Sequence, residues 1–307
     1  MSETATGEGF HPDRRRRARF LPRQLVSPAT LPLLRRLQAL WSWRRPRDVE
    51  VAQLGDGVRV RLHRPSATMT PSPALLWIHG GGYVMGRAQQ DAALCRRFAA
   101  ALGIVVAAVD YRLAPEHPFP EPLEDCYRAL GWLADHPAVD STRVAIGGSS
   151  AGGGLAAALA LLVRDRGPVA PVLQLLIYPM LDDRAVADPD VVDNYRIWNA
   201  KSNRWGWKSY LGGADPDRAV PARQDNLAGV ARAWIGVGTF DLFHDENLTY
   251  AERLRAAGVP CNVEVVPGAF HGFDMAEPTA PVSASFFASQ CASMRTAFAM
   301  ETGRDAR

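Results

Sequence analysis

Short apolar runs alternate with segments of helical composition through most of this chain, and that alternation limits the folds open to it. Runs such as 74–78 and 172–177 are apolar at consecutive positions, which is typical of strands covered on both faces. Strand and helix in regular alternation predict a doubly wound, mostly parallel α/β sheet. The expected strands are 74–78, 104–109, 144–146, 172–177, 233–237 and 263–266, and the expected helices are 88–102, 121–135, 151–165, 244–257 and 282–300.

Two segments interrupt the alternation. Residues 183–222 are rich in Trp, Asn, Arg and Gly and are too long for a simple connection in a compact domain. We expect a lid or the wall of a binding site there, and a surface excursion without function is the alternative. Before the core, Leu33, Leu37 and Leu40 recur at helical spacing and predict a short amphipathic helix. Residues 58–62 alternate with period two and predict a strand with one face in solvent.

Charge is unevenly distributed along the chain. The 307 residues carry a net charge of +3, yet residues 1–47 hold eleven arginines against three acidic residues, a net charge of +8. Such a segment favours nucleic acid or an anionic lipid surface in some proteins, but we interpret it as a solvated, poorly ordered N-terminus. The body has no strip of basic and aromatic residues, and no apolar stretch is long enough for a spanning helix. We therefore expect no nucleic acid partner and no stable membrane insertion.

The four cysteines lie far apart in the sequence and form no C-x-x-C pair. This spacing argues against a zinc site and a disulfide framework, while a single bridge stays open. No H-E-x-x-H or other metal spacing occurs, so we expect neither a metal nor an organic cofactor. The apolar residues after the N-terminal arginines are interrupted by prolines and further arginines, which is unlike a targeting signal. A cytoplasmic location is the resulting expectation.

The sharpest local feature is Gly148-x-Ser150-x-Gly152, placed where a strand runs into a helix of small residues. A serine on such a strained turn projects its hydroxyl above the sheet, and glycine two positions away on each side avoids a steric clash. Ser149 is the rival serine, but Ala151 stands where its second glycine would be needed. We therefore predict that Ser150 is a nucleophile.

A second glycine-rich stretch, His79-Gly-Gly-Gly82, follows the first apolar strand. Consecutive glycines let backbone N–H groups approach a ligand, and together with the N–H of Ala151 they would form an oxyanion hole. A flexible turn or a phosphate loop is the alternative. The phosphate motifs do not fit, because Met85 occupies the last glycine position of G-x-G-x-x-G and no Gly-Lys pair occurs.

A serine nucleophile needs a base and an acid that orients the base. His271 follows the last strand, where a catalytic loop belongs, whereas His244 lies near the start of a helix. Asp241 directly follows the strand 233–237. Asp245 is the second candidate, and an acidic pair after the strand 172–177 leads into the long insertion instead. We predict the combination of Ser150, His271 and Asp241.

Taken together, these motifs resemble the hormone-sensitive lipase family of α/β-hydrolases, the bacterial family IV carboxylesterases. The resemblance covers about residues 55–300. It rests on five motifs in order, namely His79-Gly-Gly-Gly82, Asp110-Tyr-Arg-Leu-Ala-Pro-Glu-His-Pro-Phe-Pro120, Gly148-Ser-Ser-Ala-Gly-Gly153, the segment from Asp241 to Asp245-Glu246, and His271-Gly-Phe273.

The resemblance implies an α/β-hydrolase fold with a mostly parallel central sheet, flanking helices and a helical cap. Residues 1–47 and 183–222 would form the cap, and 48–182 and 223–307 the two parts of the core. It also implies a nucleophile at Ser150, an acid at Asp241 and a base at His271. The implied oxyanion donors are the N–H groups of Gly81, Gly82 and Ala151.

The function expected from this resemblance is that of a serine carboxylesterase acting on short- to medium-chain esters through an acyl-enzyme. The aromatic residues Tyr83, Trp198 and Trp205 are the expected substrate-binding residues. Hydrolysis of an amide, carbamate or lactone is one alternative. A non-catalytic small-ligand receptor on the same fold is another, although the presence of His271 argues against it. The expected partner is a small-molecule ester, and a homodimer stays open.

Overall fold

The computed structural model describes residues 9–41, 49–65, 70–167 and 169–302 of the chain. Within these ranges, eight strands form one sheet. The strands are β1 (Glu50–Gln53), β2 (Arg59–His63), β3 (Ser72–Ile78), β4 (Val105–Asp110), β5 (Val139–Ser149), β6 (Leu173–Ile177), β7 (Ala233–Phe240) and β8 (Cys261–Phe270). Their order across the sheet is β1-β2-β4-β3-β5-β6-β7-β8.

The sheet is mostly parallel, which confirms the fold class expected from the sequence. All neighbouring pairs from β4 to β8 in sheet order are parallel, and β2 runs antiparallel to both β1 and β4. The carboxyl ends of six strands therefore meet along one edge of the sheet, where α/β proteins place their ligands.

Helices cover both faces of the sheet. They are α1 (Arg15–Ala18), α2 (Leu31–Trp41), α3 (Ala92–Leu102), α4 (Glu121–Ala134), α5 (Ala151–Arg166), α6 (Ala200–Leu211), α7 (Pro216–Ala219), α8 (His244–Ala256), α9 (Phe273–Ala276) and α10 (Pro281–Thr302). Alternate residues of β3 show the two layers. Leu76 and Ile78 belong to the core that includes α4, α5 and α8, whereas Leu75 and Trp77 belong to the core that includes α3 and α10.

The N-terminal segment packs against the sheet's carboxyl edge, so the poor order expected of it is wrong for residues 9–41, whereas most of their described side chains are exposed to solvent as expected. Phe10 contacts Phe270, the last residue of β8, with ring centroids 6.1 Å apart, and the N–H of His11 donates to the carbonyl of Gly268. Ala18 and Val26 are buried. The remaining parts of the proposed cap segment, residues 1–8 and 42–47, lie outside the described residues.

The four cysteines, Cys95, Cys126, Cys261 and Cys291, are all free thiols and all buried, so the single bridge that the sequence left open does not form. Among the described residues, no group of three or more histidine, cysteine or acidic side chains could hold a metal ion. No helix in the described ranges combines the length and apolar character that crossing a membrane requires.

Candidate active site

Ser150 occupies a strained turn between β5 and α5. Its backbone φ is +56°, a conformation that costs energy for any residue other than glycine. Two backbone hydrogen bonds hold the turn: the N–H of Ser150 donates to the carbonyl of Ile177 at 2.9 Å, and the N–H of Met180 donates to the carbonyl of Ser150 at 3.0 Å. The last residue of β6 and a residue just after that strand therefore fix the serine from both sides.

The glycines on either side of Ser150 are required by close backbone contacts. A Cβ on Gly148 would lie 2.5 Å from the carbonyl oxygen of Gly152, and a Cβ on Gly152 would lie 2.1 Å from that of Ile78. These neighbours are backbone atoms, which cannot rotate away. The spacing seen in the sequence thus reflects the contact of α5 with β3 and β5.

A Gly152→Ala substitution should therefore lower the free energy of unfolding by at least about 1–3 kcal/mol, because the added methyl group overpacks the α5–β3 contact. Gly131→Ala in α4 is the matched control. A Cβ there meets nothing within 4 Å, and helical glycine to alanine stabilises by about 0.5–1 kcal/mol. Urea denaturation of both variants measures the difference. Equal stability of the two variants would contradict the contact.

Asp241 and His271 lie beside the serine. Like Ser150, they directly follow the carboxyl ends of strands, in their case β7 and β8. His271 Nε2 is 3.0 Å from Ser150 Oγ, and His271 Nδ1 is 2.8 Å from Asp241 Oδ2. All three residues are buried, with at most 7% of their surface exposed. The geometry is that of a hydroxyl, an imidazole and a carboxylate linked by hydrogen bonds.

The imidazole and the carboxylate are held by further contacts. The rings of Tyr178 and Phe243 pack edge-on against His271, with centroids 4.8 and 5.2 Å away. The Tyr178 hydroxyl donates to Asp274 Oδ1 at 2.8 Å, and the N–H of Phe243 donates to Asp241 Oδ1 at 3.0 Å. Both partners of the hydrogen-bonded pair are thus fixed independently of the serine.

The second candidates from the sequence lie outside this arrangement. His244 Nδ1 is 2.7 Å from Asp245 Oδ1, and the Asp245 side chain is 83% exposed. Ser149 is the last residue of β5, and its side chain makes no hydrogen bond to His271. The structure therefore brings together Ser150, His271 and Asp241 and leaves the alternatives apart.

The glycine loop, residues 79–82, lies next to Ser150. A Cβ added to Gly80 would be 3.3 Å from Ser150 Cβ. Gly81 and Gly82 have φ of +130° and +61°, and a Cβ on Gly81 would lie 2.0 Å from the carbonyl oxygen of Met85. Within the described part of the chain, the N–H groups of Gly81, Gly82 and Ala151 donate no hydrogen bond. These three donors are thus free to bind a ligand oxygen.

The aromatic residues expected to bind substrate occupy different environments. The Trp198 indole covers Gly82, whose Cβ would lie 2.1 Å from the ring. Tyr83 is buried, stacks on Tyr210 with centroids 4.1 Å apart, and donates its hydroxyl to the carbonyl of Met180. Trp205 lies in α6, half-buried against the core. That these three residues contact substrate stays a prediction. Trp198 is the best placed of them to do so, because it lies against the glycine loop.

Sequence reasoning assigned no role to two residues near the site. Tyr178, with φ of +35°, supports His271, and its place directly after β6 on the ligand-binding edge was the available signal. Glu246 is buried and accepts hydrogen bonds from the N–H groups of Leu181 and Asp182 at 2.7 and 3.2 Å. Burial raises the pKa of Glu246 well above its ordinary value. No spacing in the sequence distinguishes this structural carboxyl from a surface one.

Asp91 is a buried carboxyl group from which we expect a pH-dependent stability. Its Oδ2 accepts from Trp77 Nε1 at 2.8 Å, and burial, with a smaller effect of Asp274, raises the pKa of Asp91 to about 7. The folded state therefore holds a proton that the unfolded chain releases near pH 4, so the free energy of unfolding falls as pH rises from about 4 to 7.

Asp91→Asn keeps an acceptor for Trp77 and does not ionise. From pH 4 to pH 8 it should gain up to about 4 kcal/mol over the wild type. Urea denaturation at both pH values measures the difference in free energy of unfolding between the variant and the wild type. The same difference at pH 4 and pH 8 would contradict the raised pKa of Asp91.

Known proteins match this chain over most of its length. A family model described as the α/β hydrolase fold matches residues 75–275. Esterase LipI of Mycobacterium tuberculosis is 35% identical over 275 residues, 84% of this chain and 80% of LipI. The structure of a bacterial heroin esterase aligns with a TM-score of 0.84 and 35% identity, covering 94% of this chain and 98% of that one. An esterase from Pyrobaculum calidifontis aligns with a TM-score of 0.82 and 30% identity, with the same coverage.

The expected family is confirmed by these matches, since the family model spans most of the chain and LipI is related over most of both lengths. The chain therefore belongs to the α/β-hydrolase family of esterases that its motifs resemble, and it is a carboxylic ester hydrolase.

Proposed function

We propose that this hydrolase works by acyl transfer, with Ser150 as nucleophile, His271 as base and Asp241 as the acid that orients the base. The observation that carries the proposal is the hydrogen-bonded chain from Asp241 Oδ2 through His271 to Ser150 Oγ, at 2.8 and 3.0 Å. A serine hydroxyl is a weak nucleophile unless a neighbouring base removes its proton. In this arrangement, His271 Nε2 accepts that proton while Nδ1–H donates to the carboxylate.

The proposed reaction has two similar halves. Ser150 Oγ attacks the ester carbonyl, and the negative charge on the carbonyl oxygen is stabilised by the N–H groups of Gly81, Gly82 and Ala151. The protonated His271 then gives its proton to the leaving alcohol, which leaves an acyl-serine. Water, deprotonated by His271, hydrolyses that ester and releases the acid. Each oxyanion donor contributes about 10²–10³ in rate in enzymes of this kind.

We also propose that residues 9–41 and 183–222 form a cap that limits the substrate to short- and medium-chain esters. Backbone hydrogen bonds join the two segments: Ile197 donates to Pro22, and Leu25 donates to Ile197. Trp198, the next residue, covers the glycine loop, and Ser150 and His271 are at most 7% exposed. The low exposure of the serine and its base favours substrates with a small acyl group.

The experiment that tests this function combines two measurements on the full chain. Hydrolysis of p-nitrophenyl esters from acetate to laurate gives kcat/KM against acyl length, and we expect a maximum at short or medium chains. Labelling with a fluorophosphonate, followed by peptide mass spectrometry, identifies the reactive serine, and we expect Ser150. Preference for long-chain emulsified triglyceride would overturn the substrate class.

The alternatives give different results in the same measurements. A non-catalytic receptor would leave Ser150 unlabelled in the folded protein and would hydrolyse none of the esters. A hydrolase of amides, carbamates or lactones would label at Ser150 and yet turn over p-nitrophenyl esters much more slowly than its own substrate class. Label on another serine would mean that the nucleophile is assigned wrongly.

A further inference from the structure

The outward face of α2 is apolar, which is unusual for a surface helix. Leu33, Leu37 and Leu40 are 62%, 46% and 62% exposed and, at positions i, i+4 and i+7, share one face. The opposite face, with Leu31 and Leu34, packs on the protein. A helix on a protein surface normally turns charged or polar residues outward. No part of the chain that the structure describes buries these three leucines.

Further exposed apolar side chains lie nearby in the sequence. Phe20 is 84% exposed and Leu25 is 37% exposed. Among the described residues, five of the eleven exposed large apolar side chains thus fall within residues 20–40, and the other six are spread over residues 51–300. Leu37 also borders a groove of about 660 Å³ between α2 and α3, which Met85 and Ala93 line as well.

The same segment is strongly cationic. Residues 9–41 hold eight arginines and one aspartate, a net charge of +7 with His11 neutral. Arg17, Arg23 and Arg35 pair with acidic side chains of the body. In contrast, no ion pair joins the exposed Arg16, Arg19 or Arg36 to a carboxylate within the described ranges. Their charge is available to an external partner.

The segment crosses the carboxyl edge of the sheet, the edge that carries Ser150. It begins beside Phe270 at the end of β8, and further along Leu25 pairs with Ile197. In α2, Arg35 donates to the carbonyls of Val84 and Ala114, which follow β3 and β4. The segment that carries the exposed leucines and the unpaired arginines therefore lies along this edge of the sheet.

We propose that residues 9–41 form a peripheral docking surface for an anionic phospholipid bilayer. Leucine and phenylalanine side chains enter the boundary between headgroups and acyl chains, while the arginines contact lipid phosphates. The charge of the segment and the charge of the lipid are complementary. No part of the chain spans the bilayer in this arrangement, and the carboxyl edge of the sheet faces the membrane.

Two other occupants fit the surface less well. In a symmetric dimer the same patch meets itself, so the unpaired arginines of one copy would face those of the other. Nucleic acid would satisfy the arginines, but phosphate contacts make no use of exposed leucines on a helix. A lipid surface uses both features of the segment at once.

Co-sedimentation of the full chain with large unilamellar vesicles tests the proposal. We expect binding to vesicles of phosphatidylcholine mixed with phosphatidylglycerol, little binding to phosphatidylcholine alone, and weaker binding at 0.5 M than at 0.05 M NaCl. Leu33→Ser/Leu37→Ser/Leu40→Ser should lower the partition coefficient at least about tenfold. Arg16→Gln/Arg19→Gln/Arg36→Gln should remove most of the preference for anionic lipid.

Control variants change residues outside this segment. Val51→Ser/Val265→Ser/Met300→Ser removes apolar side chains that are 37–49% exposed, and Arg218→Gln/Arg255→Gln/Arg295→Gln removes three exposed charges. Neither control should change vesicle binding. Because the substituted leucines are exposed, the variant should keep the wild-type melting temperature. Equal binding to both vesicle types, or binding unaffected by the leucine variant, would overturn the proposal. Competition between duplex DNA and vesicles that is the same in the wild type and the leucine variant would also overturn it. A wild-type dimer that the leucine substitutions dissociate would do the same.

Discussion

Ser150→Ala will lower kcat for p-nitrophenyl butyrate by about 10⁴–10⁶-fold, the loss typical of a hydrolase without its nucleophile. The Ser150 hydroxyl lies 3.0 Å from His271 Nε2, the nitrogen that would take its proton. Alanine removes that oxygen and leaves the backbone hydrogen bonds to Ile177 and Met180 in place. Steady-state kinetics with active-site titration measures the loss, and an unchanged melting temperature shows that the turn has kept its structure.

The matched control is Ser149→Ala, one residue earlier in the chain. Ser149 is as buried as its neighbour but belongs to β5 and does not contact His271, so its loss should change kcat less than about tenfold. If Ser149→Ala caused the larger loss, the nucleophile would be assigned to the wrong serine. Residual activity of Ser150→Ala within tenfold of wild type would exclude an acyl-serine at this position.

Asp241→Asn should lower kcat by about 10⁴-fold. Asp241 Oδ1 accepts from the N–H of Phe243, so the asparagine oxygen must take that position and its NH₂ group must face His271 Nδ1. An NH₂ group donates to Nδ1 and thereby places the imidazole proton on Nε2. A histidine protonated at Nε2 cannot accept the serine proton, although the shape of the site is retained.

Asp245→Asn is the control for this variant. The Asp245 carboxylate is exposed and pairs with His244 at the surface, so its loss should leave kcat within a few-fold of wild type. The kcat of both variants across pH 6–9 separates a loss of catalysis from a loss of folding. A comparable loss in Asp245→Asn would show that the acid had been chosen wrongly from the two candidates.

Apolar runs predicted the buried parallel strands because both faces of those strands are covered. The strand β1 was missed, since Glu50–Gln53 lies at the sheet edge and is largely exposed, with no apolar run to reveal it. The strand β5 begins at Val139, five residues before the expected start. The early part was missed because the residues after Val139 are polar and partly exposed. The resemblance implied helices in the cap insertion, but the bounds of α6 and α7 were not predicted, since the insertion has no regular periodicity.

Motif spacing and chain order were enough to name Ser150, Asp241 and His271, because each follows a strand whose end lies on the same edge of the sheet. The packing around them could not be read from the sequence. Ile197 has φ of +70° although it is β-branched, and hydrogen bonds from residues more than 170 positions earlier in the chain hold it there. The position of Trp198 over Gly82 depends on that turn and therefore on tertiary contacts alone.

The four buried thiols allow local unfolding of the enzyme to be measured by their reaction with a thiol reagent. Cys95 lies in α3, Cys126 in α4, Cys261 at the start of β8 and Cys291 in α10, so they sample both faces of the sheet. Burial raises the pKa of Cys261 and Cys291 to about 11, which leaves almost no thiolate at neutral pH. Reaction with a thiol reagent must therefore wait for a transient fluctuation. The labelling rate of each cysteine then gives the kinetic stability of one element in the working enzyme.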